Sequence, residues 1–179
     1  MTLAISLEPI VTERLALRPV ETAHAEAMWP VLREPALYQW IARAPPAALS
    51  DVEARLQRTS VRIAEGRADQ WLNWTVWLRE QDEAIGIVES TVPPSRVVEI
   101  AYMFAPRHWG RGYANEAVRA AMEALATGGA AAFEATIDTR NAASRALAAK
   151  LGFRLIETRP SGDIIAGAPS LEEVWRREV

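Results

Sequence analysis

Trp109-Gly110-Arg111-Gly112-Tyr113-Ala114 is followed at once by Asn115 and Glu116, and then by Ala117, Val118, Ala121, Met122 and Leu125 at helical spacing. Two glycines therefore stand at the mouth of an amphipathic helix, with Arg119 and Glu123 on its outer side and Gly128-Gly129 ending it. Backbone N–H groups exposed there, with the positive end of the helix dipole behind them, hold anions. Glycine accepts a positive φ without strain and lets a ligand approach the main chain closely. The stretch reads as a phosphate cradle. It is not a P-loop, which needs Gly-Lys before Ser or Thr, because Lys150 is the only lysine in the chain and lies far downstream. It is not the dinucleotide fingerprint either. The third glycine would fall at Asn115, and Ala105-Pro106-Arg107-His108 separates the loop from the apolar run that ends at Phe104.

A second segment, Asn141-Ala142-Ala143-Ser144-Arg145-Ala146-Leu147-Ala148-Ala149-Lys150-Leu151-Gly152-Phe153, is a capped helix. Asn141 suits the N-cap, Lys150 the C-terminal dipole, and Gly152 a left-handed residue after the last turn. Together the two segments resemble the GNAT superfamily of acyl-CoA-dependent N-acyltransferases, most closely its RimJ/RimL-like branch. The resemblance runs from Glu13-Arg14-Leu15-Ala16-Leu17-Arg18-Pro19 to Arg159. Its specific parts are Glu99-Ile100-Ala101-Tyr102-Met103-Phe104, the glycine loop and the Asn141…Lys150-Leu151-Gly152-Phe153 segment.

At 179 residues the chain is expected to form one domain, 1–179, with a substantial core. A hydrophobic content of 50% is that of a soluble globular protein. No leader-like opening and no membrane-length apolar run are present, so the expected location is cytoplasmic, without a membrane partner. With no cysteine and only His24 and His108, disulfides and thiolate chemistry are excluded and no metal is expected. A net charge of −3 argues against nucleic acid as partner. Abundant alanine, and arginine at nearly every basic position, point to a GC-rich bacterial genome.

The order of elements follows from period and punctuation. Leu15 and Leu17 alternate into a strand closed by Pro19, and Thr22 is placed to cap a helix that reaches toward Glu34-Pro35 and is interrupted at Pro30. Ser50-Asp51-Val52-Glu53 reads as a capping box. It opens a helix with Val52, Leu56, Ser60 and Ile63 on one face, stopping at Gly66. Trp71 to Leu78 and Ala84 to Thr91 form a hairpin around Glu80–Glu83, and Val97 to Phe104 leads into the loop. Ala131 to Asp138, Phe153 to Arg159 and Glu172 to Glu178 complete the sheet. Strands first, then β-loop-helix-β-helix-β, give an α+β fold: a mixed, mostly antiparallel sheet of about six or seven strands with helices on both faces, in the order of the GNAT fold.

The resemblance implies acetyl-CoA as cosubstrate and assigns site residues. The family's phosphate loop opens with Arg or Gln, and Trp109 stands there instead. The pyrophosphate would therefore rest on main-chain N–H groups from Gly110 through Arg111, Gly112 and Tyr113 to Ala114, with the Arg111 side chain placed to help or to stay in solvent. The pantetheine arm would lie along Tyr102-Met103-Phe104 in a gap between this strand and the next, with an N–H near Phe104 on the thioester carbonyl. Asn141 would touch the cofactor as well as cap its helix. Glu99, at the start of the strand, is the candidate base and Glu89 a lesser one, the alternative for Glu99 being a solvated strand-end carboxylate. The tyrosine that many members carry as acid maps to Ala148 and is missing. Ser144, one turn earlier, is the residue offered instead, or else an N3 serine bonding its own backbone. Trp71, Asn73, Thr75 and Trp77 make one strand face suited to an acceptor groove, or to packing under a helix. The function implied is acetyl transfer from acetyl-CoA to a primary amine, a protein N-terminus or a small molecule, by a monomer or homodimer. The alternative is a non-catalytic acyl-CoA-binding module of the same fold.

Overall fold

The structure, a computed structural model, describes residues 8–63 and 68–179. Its strands are β1 (Ile10–Val11), β2 (Leu15–Pro19), β3 (Gln70–Trp71), β4 (Trp74–Leu78), β5 (Glu83–Val92), β6 (Val97–Phe104), β7 (Ala132–Asp138), β8 (Arg154–Ile165) and β9 (Ala168–Glu178). Among the described residues they form one nine-stranded sheet in the order β1-β2-β4-β5-β6-β7-β9-β8, with β3 added beside β5. Only β6 and β7 run parallel. Among the described residues the α-helices are α1 (Ala25–Leu32), α2 (Leu49–Ser60), α3 (Tyr113–Thr127) and α4 (Ala142–Lys150). The α+β class and its mostly antiparallel sheet are as the sequence implies, with more strands than six or seven.

Alternation along the strands builds two cores. Trp74, Val76, Val88, Ile100 and Phe104 face α3 and α4, where they meet Ala117, Val118, Ala121, Met122, Leu125 and Ala148. Trp77, Ile87 and Met103 face the other way and meet Met28, Val31 and Leu32 of α1 and Val52 and Leu56 of α2.

The expected strand Trp71–Leu78 is divided at Leu72-Asn73, because Asn73 turns inward as a polar plug. Its Nδ2 donates to Thr59 O (2.9 Å) and its Oδ1 accepts from Ser90 N (2.9 Å), replacing a ladder rung with side-chain bonds. On the expected groove face, Asn73, Thr75 and Trp77 are buried in packing, Trp71 is half-buried, and none of the four lines a cavity described below. Trp77 Nε1 donates to Thr75 Oγ1 (2.9 Å), Thr75 Oγ1 lies 3.0 Å from His24 Nδ1, and the Arg18 guanidinium sits 4.3 Å from the Trp77 ring centre.

Two helix starts also differ from expectation. Thr22 opens only a 3₁₀ turn, Thr22–His24, and α1 follows it, runs through Pro30 and stops at Leu32, ahead of Glu34, which Pro35 holds extended. The helix expected from Ser50 begins one residue earlier. Asp51, not Ser50, satisfies its N-terminus, accepting from Ala47 N (2.9 Å) and Ala48 N (3.0 Å). It ends at Ser60, and Ile63 lies beyond it in an isolated bridge to Gln70. The stop expected at Gly66 lies outside the described residues.

Gly86 sits in β5 opposite Phe104. A Cβ there would lie 2.6 Å from both Met103 O and Phe104 Cδ1, so this glycine is what allows the Phe104 ring to lie against the sheet. Gly86→Ala is expected to lower unfolding free energy by about 1–3 kcal/mol through overpacking, read from denaturant midpoints. An unchanged midpoint would mean that β5 can shift to take a methyl group.

Candidate functional site

After β6, a 3₁₀ turn (Pro106–His108) carries the chain to the loop. Gly110 has φ +74° and Gly112, the N-cap of α3, has φ +82°, so both expected left-handed positions are real. The first bond of the helix runs from Glu116 N to Gly112 O (3.1 Å), which leaves the N–H groups of its first turn without intrahelical acceptors. Glu116 itself does not face the cradle. Its carboxylate accepts from Thr12 Oγ1 (2.6 Å), Arg14 N (2.9 Å) and Arg14 Nε (2.7 Å). Burial works against its ionisation, but the bonds from Thr12 and Arg14 outweigh that and hold its pKa below the ordinary value. Arg14 also donates to Arg111 O (3.0 Å) and lies 4.5 Å over the Tyr113 ring. Arg14 and Glu116 thus brace the loop. The sequence shows both residues but not their meeting, 102 positions apart. Arg111 is exposed and Ala114 half-buried at the first turn.

Trp109 holds the strand end. It is 52% exposed, and its Nε1 donates to Phe104 O (2.6 Å). Ala105 N donates to Ile85 O on the β5 side (2.8 Å), so by strand alternation the N–H and C=O of Phe104 point away from β5. They point into a gap. The parallel ladder pairs Val97, Val98 and Glu99 with Ala132, Phe133 and Glu134 and then ends, with β6 continuing along β5 and β7 along β9.

Two cavities open from this gap. One, of about 450 Å³, runs past Phe104, His108, Trp109, Gly110, Gly112, Tyr113, Ala114 and Asn115 to Leu147 and Lys150. The other, of about 360 Å³, lies toward the closing hairpin and includes Arg43, Glu89, Asp138, Asp163 and Glu172. They share Trp40, Ile41, Tyr102, Met103, Asn141 and Ser144.

Asn141 Oδ1 accepts from Ser144 N (3.1 Å), so the cap is made while the residue also lines both cavities. Ser144 is half-buried, and its Oγ makes no hydrogen bond to the local backbone. Ala148 is buried at 3% exposure and belongs to the core.

The structure separates the two candidate carboxylates. Glu99 is exposed at the last rung of the β6–β7 ladder and does not line either cavity. Glu89, two positions back along the partner strand's register, does. Arg55 Nη2 lies 3.0 Å from each of its oxygens, and the Arg55 side chain is mostly buried. Side-chain parity put Glu99 on the right face, but only the point where β7 departs decides which residue on that face borders the opening. Burial lowers the pKa of Arg43, the nearby Arg55 lowers it further, and the charge of Glu89 partly offsets them. Asp138 is pinned by Arg140 (2.8 Å) and Ser170 (2.6 Å), and the Arg140 bonds hold it far below the usual carboxylate range. Glu172 is tied to Arg159 (2.7 Å), and Asp163 enters the cavity from the β8–β9 hairpin. None of these hairpin contributions was signalled by spacing.

Three buried polar atoms without hydrogen-bond partners, Tyr102 Oη, His108 Nδ1 and Asn115 Oδ1, belong to residues lining the larger cavity. Each such atom costs about 1–3 kcal/mol, so their gathering in one cleft fits a ligand with several polar groups. With the two open glycines, the residues present fit a pantetheine-linked pyrophosphate. Among the described residues no group of three or more His, Asp and Glu could hold a metal ion, and no helix is long and apolar enough to cross a membrane.

A strand that parts from its parallel neighbour and leads through a glycine loop into a helix defines the fold of the N-acyltransferases. The chain belongs to the GNAT acetyltransferase family: a family model described as an acetyltransferase (GNAT) domain matches residues 14–154. Among its relatives, the uncharacterised protein YkkB of Bacillus subtilis is 34% identical over 106 residues, 50% of this chain and 62% of that one. The uncharacterised N-acetyltransferase p20 of Bacillus licheniformis is 28% identical over 115 residues, 63% of each chain. The matched part thus spans under two thirds of either relative's length. Among solved structures, RimL, a ribosomal L7/L12 alpha-N-protein acetyltransferase in complex with coenzyme A, superposes with a TM-score of 0.84 at 21% identity. That alignment covers 96% of this chain and 98% of RimL, and at such identity it shows the shared fold.

Proposed function

We propose that this protein transfers the acetyl group of acetyl-CoA to a primary amine by direct attack within a ternary complex. The observation that carries the reading is the meeting of two cavities at Tyr102, Asn141 and Ser144. One runs to the glycine loop, suited to the cosubstrate, and the other to Glu89 and the closing hairpin, suited to the amine. Acetyl-CoA supplies an activated acyl group as a thioester. Main-chain N–H groups from Gly110 to Ala114 hold its pyrophosphate, and the Phe104 N–H, in a residue fixed by Trp109, donates to the acyl oxygen as negative charge develops there.

The amine must lose a proton. An α-amine with pKa near 7.8 is about one-seventh neutral at pH 7 and a lysine near 10.4 about 0.04%, a difference of roughly 3.5 kcal/mol. Glu89 is the candidate base, since it lines the amine-side cavity, and Glu99 lies outside it. Held by Arg55, Glu89 suits a weak base or an anchor for a water chain, which is enough for an α-amine and meagre for lysine. We therefore favour an acceptor with an α-amine, a protein N-terminus or a small molecule. The likeness to RimL, named for alpha-N-protein acetylation, supports this and the RimJ/RimL-like placement. A bacterial, cytoplasmic protein acting as monomer or homodimer is part of the same reading. Ala148, where many members carry a tyrosine, favours a second reading, a non-catalytic acyl-CoA-binding module.

Acetyl-CoA is expected to raise the melting temperature while ATP does not. One-site linkage gives about 2.7 kcal/mol at a ligand concentration of 100 times Kd. Equal stabilisation by both would defeat the CoA assignment. Thiol release across a panel of α-amines, lysine-like amines and peptides then tests transfer, and release with none of them would leave the binding module.

A further inference from the structure

Tyr102 has a role that neither the helix pattern nor the loop announces. Its hydroxyl is shut off from solvent and has no hydrogen-bond partner of acceptable geometry. It projects from β6 on the face shared with Ile100 and Phe104, toward α4. Burial raises its pKa, and the Ser144 hydroxyl, within hydrogen-bonding reach though not well aligned with it, lowers it in part. Both residues line both cavities, so the two side chains border the place where the cosubstrate side and the amine side meet, with the Tyr102 hydroxyl just beneath its surface. An orphaned phenol at that point is costly until a ligand accepts from it.

We propose that Tyr102 Oη donates a hydrogen bond to the sulfur that leaves in acetyl transfer, beside Ser144, in place of the phenol that α4 lacks at Ala148. The inference rests on the acetyl-transfer reading above. In the step itself the amine lone pair forms the C–N bond, the C–S bond breaks, and its electron pair departs on sulfur. The nitrogen's extra proton leaves through Glu89 or water to solvent, and the thiolate takes its own proton from solvent as CoA is released. Full transfer from Tyr102 is disfavoured, because burial raises the phenol above its ordinary value and leaves it a weaker acid than the thiol. The phenol therefore stabilises the thiolate as a donor and stays protonated.

The test uses the intact protein with CoA and desulfo-CoA, which lacks the sulfur, in calorimetric titrations at pH 9, where part of the thiol is ionised. Wild type is expected to prefer CoA, and Tyr102→Phe to reduce that preference about fivefold or more while binding desulfo-CoA as before. His108, Tyr113 and Lys150, which line the same cavity, are present in both proteins and cancel in the comparison. With an accepted amine, kcat should fall about tenfold or more with little change in KM for acetyl-CoA. The apo Tyr102→Phe protein should melt close to wild type, since the lost hydroxyl makes no well-aligned hydrogen bond. An undiminished preference for CoA, or unchanged kcat, overturns the proposal even if transfer is confirmed. Failure of wild type to bind either probe overturns the acetyl-transfer reading first.

Discussion

Ser144→Ala is expected to lower kcat by about ten- to a thousandfold while leaving acetyl-CoA affinity nearly unchanged. The expectation follows from where the hydroxyl sits. Ser144 N is used by the Asn141 cap, but Ser144 Oγ makes no bond to the local backbone and lines both cavities where they meet. A serine holding its own helix together would instead lose melting temperature and keep its turnover. Steady-state kinetics with a verified amine, set beside thermal melts, separate the two outcomes, and unchanged kcat would leave the thiolate to Tyr102 Oη and water. Ala148→Tyr, which would restore the family's more common acid on the same helical face, is not a usable rescue. Ala148 is 3% exposed and packed in the core, so a ring there would have to displace its neighbours.

Gly112→Val is expected to abolish the stabilisation by acetyl-CoA, a loss of more than about a hundredfold in affinity, or roughly 2.7 kcal/mol. At φ +82° and ψ 0°, a β-branched residue is strained by about 1–3 kcal/mol. Relief of that strain would rotate the N–H groups that form the cradle. The new Cβ would also stand 3.5 Å from Arg14 Nη2, and a larger side chain would push on the guanidinium that holds Arg111 O. Gly110→Ala is the informative contrast. Its φ of +74° brings comparable backbone strain, but nothing lies within 4 Å of the added Cβ. Retained binding in folded Gly112→Val would place the phosphate site elsewhere.

What could be read from the chain alone is what depends on neighbours in sequence. The glycines at 110 and 112, the Asn141 cap, the bounds of β6 and the buried stripe of α3 follow from local conformational preference and from period, and the structure has them where expected. The misreadings concern residues whose roles are set by distant partners. Asn73 splits a strand because Thr59 and Ser90 stand ready to bond it, 14 and 17 positions away. Ser50 reads as a cap in sequence but lies inside α2, where Asp51 reaches back to Ala47 N and Ala48 N. Glu99 and Glu89 share one side of the sheet, and only the departure of β7 distinguishes them. Tyr102 is an ordinary strand aromatic in sequence, and its meaning comes from α4 passing over it more than 40 residues later.

The parting of β6 from β7 gives this sheet an edge in its middle. Beyond Glu99 and Glu134 the two strands no longer bond to each other, while their outer sides stay bonded to β5 and β9. Ordinary sheet edges invite pairing with other chains and have to be shortened, charged or covered. Here the slot is bounded by strands on both sides and admits only something about as slender as one extended chain. The protein can thus keep hydrogen-bonding capacity in reserve for a guest without offering it to another molecule of itself.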